Sequence, residues 1–262
     1  MKPVSAFAAL AFCIFSLYSC SSKLAPVGHF QSTAIVADGN TDDWQLPLRF
    51  SNAEYTYTYS VTNDNKNIYI CILSKDPDEQ LRILRSGISV YFDAKDKKNK
   101  NTILEFPVRK PVETGYNYNG SGTTVDRRER MSQLLLESNY YNTTGFAHIE
   151  NGQFDISDKK ADMQVAIKLN NDNALVYEAI IPLNDIPGLA LTGKKADRNF
   201  GVGVVVNPSL AGSQHNNSAF RPSVGMRGMH MGMGRGGGQR TQQHNEEINW
   251  YEFRLAQTNG NE

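Results

Sequence analysis

Cysteine is scarce in this chain of 262 residues: only Cys13, Cys20 and Cys71. A disulfide-stapled scaffold is therefore excluded, and stability must come from an apolar core. Tryptophan is rarer still, at Trp44 and Trp250 alone. The five histidines, His29, His148, His215, His230 and His244, are scattered. No HExxH, GxSxG or Walker pattern accompanies them, so no hydrolase or nucleotide-binding constellation is written in the chain. His244 precedes Glu246 and Glu247, the composition of a solvated loop. Net charge is missing too, since 27 basic residues meet 27 acidic ones. A neutral chain has no electrostatic reason to bind nucleic acid. The longest apolar run, Val4 to Phe15, is too short to span a bilayer.

That run, after Lys2, reads as a signal peptide over residues 1–19. Leu17-Tyr18-Ser19-Cys20 resembles the bacterial lipobox, which implies cleavage before Cys20 and acylation of its sulfur and amine. The alternative is an ordinary signal peptide with a chance cysteine. Acylation anchors the chain in the cell envelope, expected at the outer membrane. Loss of residues 1–19 removes Lys2 and no acid, leaving one net negative charge. Cys71 is then the sole free thiol, in a strand pattern where it reads as a small core hydrophobe. Residues 20–32 read as a tether, and 33–256 as one domain.

The strongest pattern is a hairpin from Tyr55 to Ser74. Tyr55, Tyr57, Tyr59 and Val61 alternate with Thr56, Thr58, Ser60 and Thr62, the period of a strand. Ile68 to Leu73 is apolar throughout, as in a strand buried on both faces. A turn over Asn63 to Lys66 predicts that 61 pairs with 68 and 59 with 70. Further strands are expected at 33–37, 88–93, 102–108, 146–154, 163–169, 174–183, 200–206 and 248–256. Asp78 to Arg85 reads as a short helical turn, and Arg127 to Ser138 as the one helix. The sum is an all-β antiparallel sandwich, jelly-roll or immunoglobulin-like, with one short helix.

Two segments carry ligand-type residues. Asp38, Asn40 and Asp42 offer alternate oxygens suited to calcium, or equally a hydrogen-bonded turn ahead of Trp44. Gly225 to Gly238 holds seven glycines and four of the seven methionines. Met226, Met229, His230, Met231 and Met233 are soft or borderline donors that suit copper. The composition equally suits a flexible loop over 225–245, because so many glycines make ordering costly.

Residues 35–44 (IVADGNTDDW), 61–72 (VTNDNKNIYICI), 87–96 (GISVYFDAKD) and 176–186 (VYEAIIPLNDI) resemble the carbohydrate-binding module family 9-like group, which is related to DOMON domains. The resemblance spans about 33 to 256 and implies a non-catalytic, glycan-binding sandwich in which two aromatic rings hold a sugar. It implies a structural role for Trp44 and leaves Trp250 as the stacking residue, with Tyr116 or Tyr118 as its partner and Asn117, Asn119 and Asn249 as hydroxyl ligands. The other reading is a structural or assembly lipoprotein that docks on an envelope protein. No cofactor is required by either, with calcium and copper kept as options; the resemblance to haem-binding DOMON relatives adds Met163 as an axial haem ligand, with no second ligand identified.

Overall fold

The computed structural model describes residues 25–95, 97–109, 124–158, 162–189, 198–208 and 247–257. The tyrosine and isoleucine runs form the hairpin β3 (Thr58–Asn63) and β4 (Asn67–Ser74). Asp64 builds the turn. Its N–H donates to Asn67 O, and its Oδ1 accepts the N–H groups of Lys66 and Asn67 at 2.7 and 2.6 Å. Only Asn65 and Lys66 lie in the loop, so Val61 pairs with Ile70 and Tyr59 with Ile72. That register differs by two residues from the expected one. Because the side-chain period is two, Tyr57, Tyr59 and Val61 still share a buried face with Ile68, Ile70 and Ile72. Tyr55 leaves the row. It sits at φ 58 in a turn held by Asn52 and is largely exposed.

Twelve strands among the described residues make two sheets. The first contains β1 (His29–Phe30), β3, β4, β10 (Leu175–Pro182) and β9 (Gln164–Leu169) in that order, with β2 (Phe50–Ser51) also on β3. The second runs β12 (Asn249–Phe253), β11 (Phe200–Val206), β5 (Ile88–Asp93), β6 (Thr102–Phe106), β7 (Tyr140–Thr144), β8 (Gly152–Asp155). Every strand pair is antiparallel except β1 with β3. The inward residues of both sheets form one core, from Ile70 and Tyr177 on one side to Val90, Leu104 and Val204 on the other. This is an all-β sandwich.

The first sheet is also covered on its outer face. Ile35, Trp44 and Leu48 of the opening segment pack on Tyr69, Cys71, Val176 and Ile180. That second layer is why β4 and β10 lack polar alternation. Thr33 to Ala37 supplies it as irregular chain, not as the expected strand. The expected tether is also fold from residue 25 onward. Gly28 N–H donates to Arg254 O, Arg254 N–H donates to Pro26 O, and His29 pairs with Thr62.

Among the described residues two α-helices stand where one helix and a short helical turn were expected. α1 (Pro77–Ser86) is a full helix because its ends are specified: Asp76 Oδ1 caps the N–H groups of Asp78 and Glu79, Pro77 opens the first turn, and Gly87 closes it. Gly87 adopts φ 76, and a Cβ there would lie 2.4 Å from Pro107 O. Leu81, Ile83 and Leu84 enter the core. α2 (Thr124–Leu136) follows, close to its expected span. The strand expected at 146–154 is instead a loop after β7 that becomes strand only at β8.

Candidate functional site

The outer face of the second sheet is built from residues that alternate away from the core. On β5, Ile88, Val90 and Phe92 are buried inward, which sends Ser89, Tyr91 and Asp93 outward. On β11, Phe200, Val202, Val204 and Val206 face the core and leave Gly201, Gly203 and Val205 outside. On β12, Tyr251 and Phe253 pack inward, so Trp250 and Glu252 face out. The registers set Trp250, Gly203, Tyr91, Ile103 and Thr144 in one row across five strands.

Glycine at 201 and 203 is what lets the indole lie down. A Cβ on Gly203 would sit 3.0 Å from Trp250 Cε2, and one on Gly201 3.4 Å from Cε3 and Cζ3. The ring rests on the bare backbone of β11, half-buried. Tyr91 stands beside it, with ring centroids 6.2 Å apart and planes tilted by 34°. Lys100 Nζ is 6.0 Å from the Tyr91 centroid, and Lys98 Nζ is 3.5 Å from Glu252 Oε1. The buried Asp93 carboxylate ties down the loop that carries them. It accepts the backbone N–H groups of Lys95, Lys97 and Asn99, giving a charged loop an ordered path.

The neighbouring row is polar. Ser89 Oγ donates to Asn207 Oδ1 at 2.6 Å, and Asn142 Nδ2 donates to Glu105 Oε2 at 3.4 Å. Val205, Ser89, Glu105, Asn142 and Gln153 share this row by register. The face thus offers two aromatic surfaces bordered by amides and a carboxylate.

Of the residues expected at a ligand site, Trp250 lies here. Asn249 does not: it alternates inward, and its Nδ2 donates to Tyr57 Oη at 3.0 Å. Burial leaves the Tyr57 hydroxyl much harder to ionise, against the opposing pull of the Asn249 amide. Tyr116, Asn117, Tyr118, Asn119, the set from Met226 to Met233, and Cys20 lie outside the described residues. Tyr91 is the ring the sequence reading missed. Its signal was the outward position within ISVYFD, and the glycines two apart in FGVGVVV mark the floor beside it.

The opening turn is tied together by its own hydrogen bonds. Asp38 Oδ1 accepts Asn40 N–H at 2.8 Å, and Asp42 Oδ2 accepts Asn40 Nδ2 at 2.7 Å. Trp44 Nε1 and the N–H groups of Asp38 and Gly39 all donate to the carboxylate of Glu178 on β10. Desolvation pushes the Glu178 carboxyl above its ordinary value, against the opposing pull of those donors. Among the described residues no three His, Cys, Asp or Glu side chains gather to hold a metal ion. Met163 is buried in the core.

Fold and face together define an all-β sandwich domain with an aromatic platform on one outer surface. No family model matches the chain, and no curated protein matches it. Among solved structures it is similar to a carbohydrate binding module family 9 from Caldicellulosiruptor kristjanssonii in complex with glucose, at 13% identity and a TM-score of 0.35. That likeness covers 71% of this chain and 79% of the other.

Proposed function

We propose that the outer face of the second sheet binds glycan without catalysis. The observation that carries this is the Trp250–Tyr91 pair, laid side by side with the indole over Gly201 and Gly203 of β11. Flat rings remove the C–H faces of a sugar from water, and Glu105, Asn142 and Asn207 stand one row away to meet hydroxyls. An open face with few polar contacts binds weakly, on the order of micromolar to millimolar. Calorimetry of residues 24–262 against neutral and acidic oligosaccharides and cell-wall fragments tests it. Trp250→Ala and Tyr91→Ala, each checked for an unchanged melt, should each weaken binding by about tenfold or more. Absence of heat with every glycan moves the protein to the assembly-lipoprotein reading.

The same reading holds the domain at the cell envelope through an acylated Cys20, supported by the Leu17-Tyr18-Ser19-Cys20 pattern. Expressed in a Gram-negative host, Cys20→Ala should shift the chain from the membrane to the soluble fraction. Unchanged membrane partitioning rules the anchor out.

A further inference from the structure

The edge of the first sheet carries a groove, whereas Trp250 lies on the second sheet. β2 pairs with β3 at Thr58 and Tyr59, and β1 pairs with it at Thr62 and Asn63. Ser60 and Val61 lie between the two short strands with no strand partner on that side. The gap opens into a groove of about 400 Å³, ample for a small solute. Its apolar wall is Phe30, Trp44, Leu46 and Pro47, and its polar groups include His29, Asp43, Arg49, Ser60 and Thr62.

Three features of the polar groups point to a ligand. Thr62 is only 5% exposed, yet its Oγ1 has no hydrogen-bond partner. A buried hydroxyl left unpaired is costly and uncommon. Ser60 does not relieve it, since its Oγ is engaged by the backbone N–H of Arg49 at 2.9 Å. Arg49 and Asp43, of opposite charge, line the same groove but form no ion pair with each other among the described residues. Asp43 Oδ2 accepts the N–H of Val36 at 3.2 Å, and its other oxygen has no donor among the described residues.

We propose that this groove binds a small zwitterion, an amino acid or short peptide, with its carboxylate on Arg49 and Thr62 and its ammonium on Asp43. Arg49 offers a planar fork matched to a carboxylate, and the Thr62 hydroxyl completes it. Asp43 repels a simple anion and attracts a ligand that also carries positive charge. The apolar wall takes the ligand's carbon skeleton.

The test uses the full chain in detergent micelles, with saturation-transfer NMR and titration of three probes. Glycylglycine carries both charges, N-acetylglycine only the carboxylate, and glycinamide only the ammonium. Glycylglycine should bind at micromolar to low-millimolar concentration, with the other two about tenfold weaker or more. Arg49→Gln should weaken glycylglycine by about tenfold. Asp43→Asn should erase its advantage over N-acetylglycine. Thr62→Val should weaken binding severalfold while raising the melting temperature, because it removes an unpaired buried hydroxyl; a merely structural threonine would not separate the two readouts. Trp250→Ala should leave this binding intact, which keeps the outcome independent of the glycan face. Equal binding of glycylglycine and N-acetylglycine, undiminished binding by Thr62→Val, or no binding of any probe at about 20 mM would each overturn the proposal.

Discussion

Glu178→Ala should unfold the domain or strip most of its stability. The Glu178 side chain has no solvent exposure and accepts three donors: Gly39 N–H at 2.6 Å, Trp44 Nε1 at 2.8 Å and Asp38 N–H at 3.0 Å. It is the peg that fixes the opening segment to the outer face of the first sheet. Truncation orphans all three donors and loosens the layer of Ile35, Trp44 and Leu48 that covers Cys71 and Val176. Charge-assisted bonds inside a protein are worth more than neutral ones, so a loss on the order of 3–5 kcal/mol is expected. That is a large share of an ordinary domain's stability. Glu178→Gln keeps the shape but turns an amide NH₂ toward donors, so it should fall between the wild type and alanine. The carboxyl's raised value adds a pH signature. A group whose folded value exceeds its unfolded one favours the fold most below the ordinary carboxylate range, and that contribution is lost as pH rises through the folded value. Chemical denaturation at neutral pH is the measurement. A midpoint matching the wild type would show that the opening segment does not depend on this carboxylate.

Ile70→Asp should be as severe for a different reason. Ile70 is fully buried, flanked on its two sides by Val61 and Ala179, and faces the shared core. A carboxylate there has no cation to pair with among its core neighbours, which are apolar. It must be buried charged or take up a proton at neutral pH, and either costs several kcal/mol. The chain should be recovered unfolded or aggregated. Ile70→Val, which removes one methylene, should cost only about 1 kcal/mol and melt cooperatively. A soluble aspartate variant with the wild-type melting temperature would place β4 outside the core.

Strand pattern carried most of this fold in legible form. The apolar run of β4 announces burial on both faces, although what covers the second face, Trp44 and its neighbours, lies in an opening segment without periodicity. Glu178 was illegible for the same reason. Within VYEAIIP it reads as a polar interruption, and only the fold brings Gly39 and Trp44 to it. The hairpin register slipped by two because Asp64, rather than Asn63, organises the turn through its own side chain. Helix α1 was under-read although its cap, Asp76-Pro77, and its stop, Gly87, both stand in the sequence. At the candidate site Trp250 was legible as a lone ring. Its neighbour was not, since Tyr91 reaches it only through the pairing of β5 with β11 and β11 with β12.

Cys71 gives the molecule an internal clock. Its thiol is fully buried in the middle of β4, and burial, followed by the charge of Glu178, pushes it well above its ordinary value. A thiolate is the species that alkylating reagents attack, so the closed state is inert to them. Modification must wait until the opening segment lifts from the first sheet or the sheet itself parts. In a chain starting at residue 24 no other thiol competes for reagent. When closing outruns labelling, the alkylation rate relative to a free thiol's gives the fraction of time the first sheet stands open. When labelling outruns closing, it gives the opening rate itself.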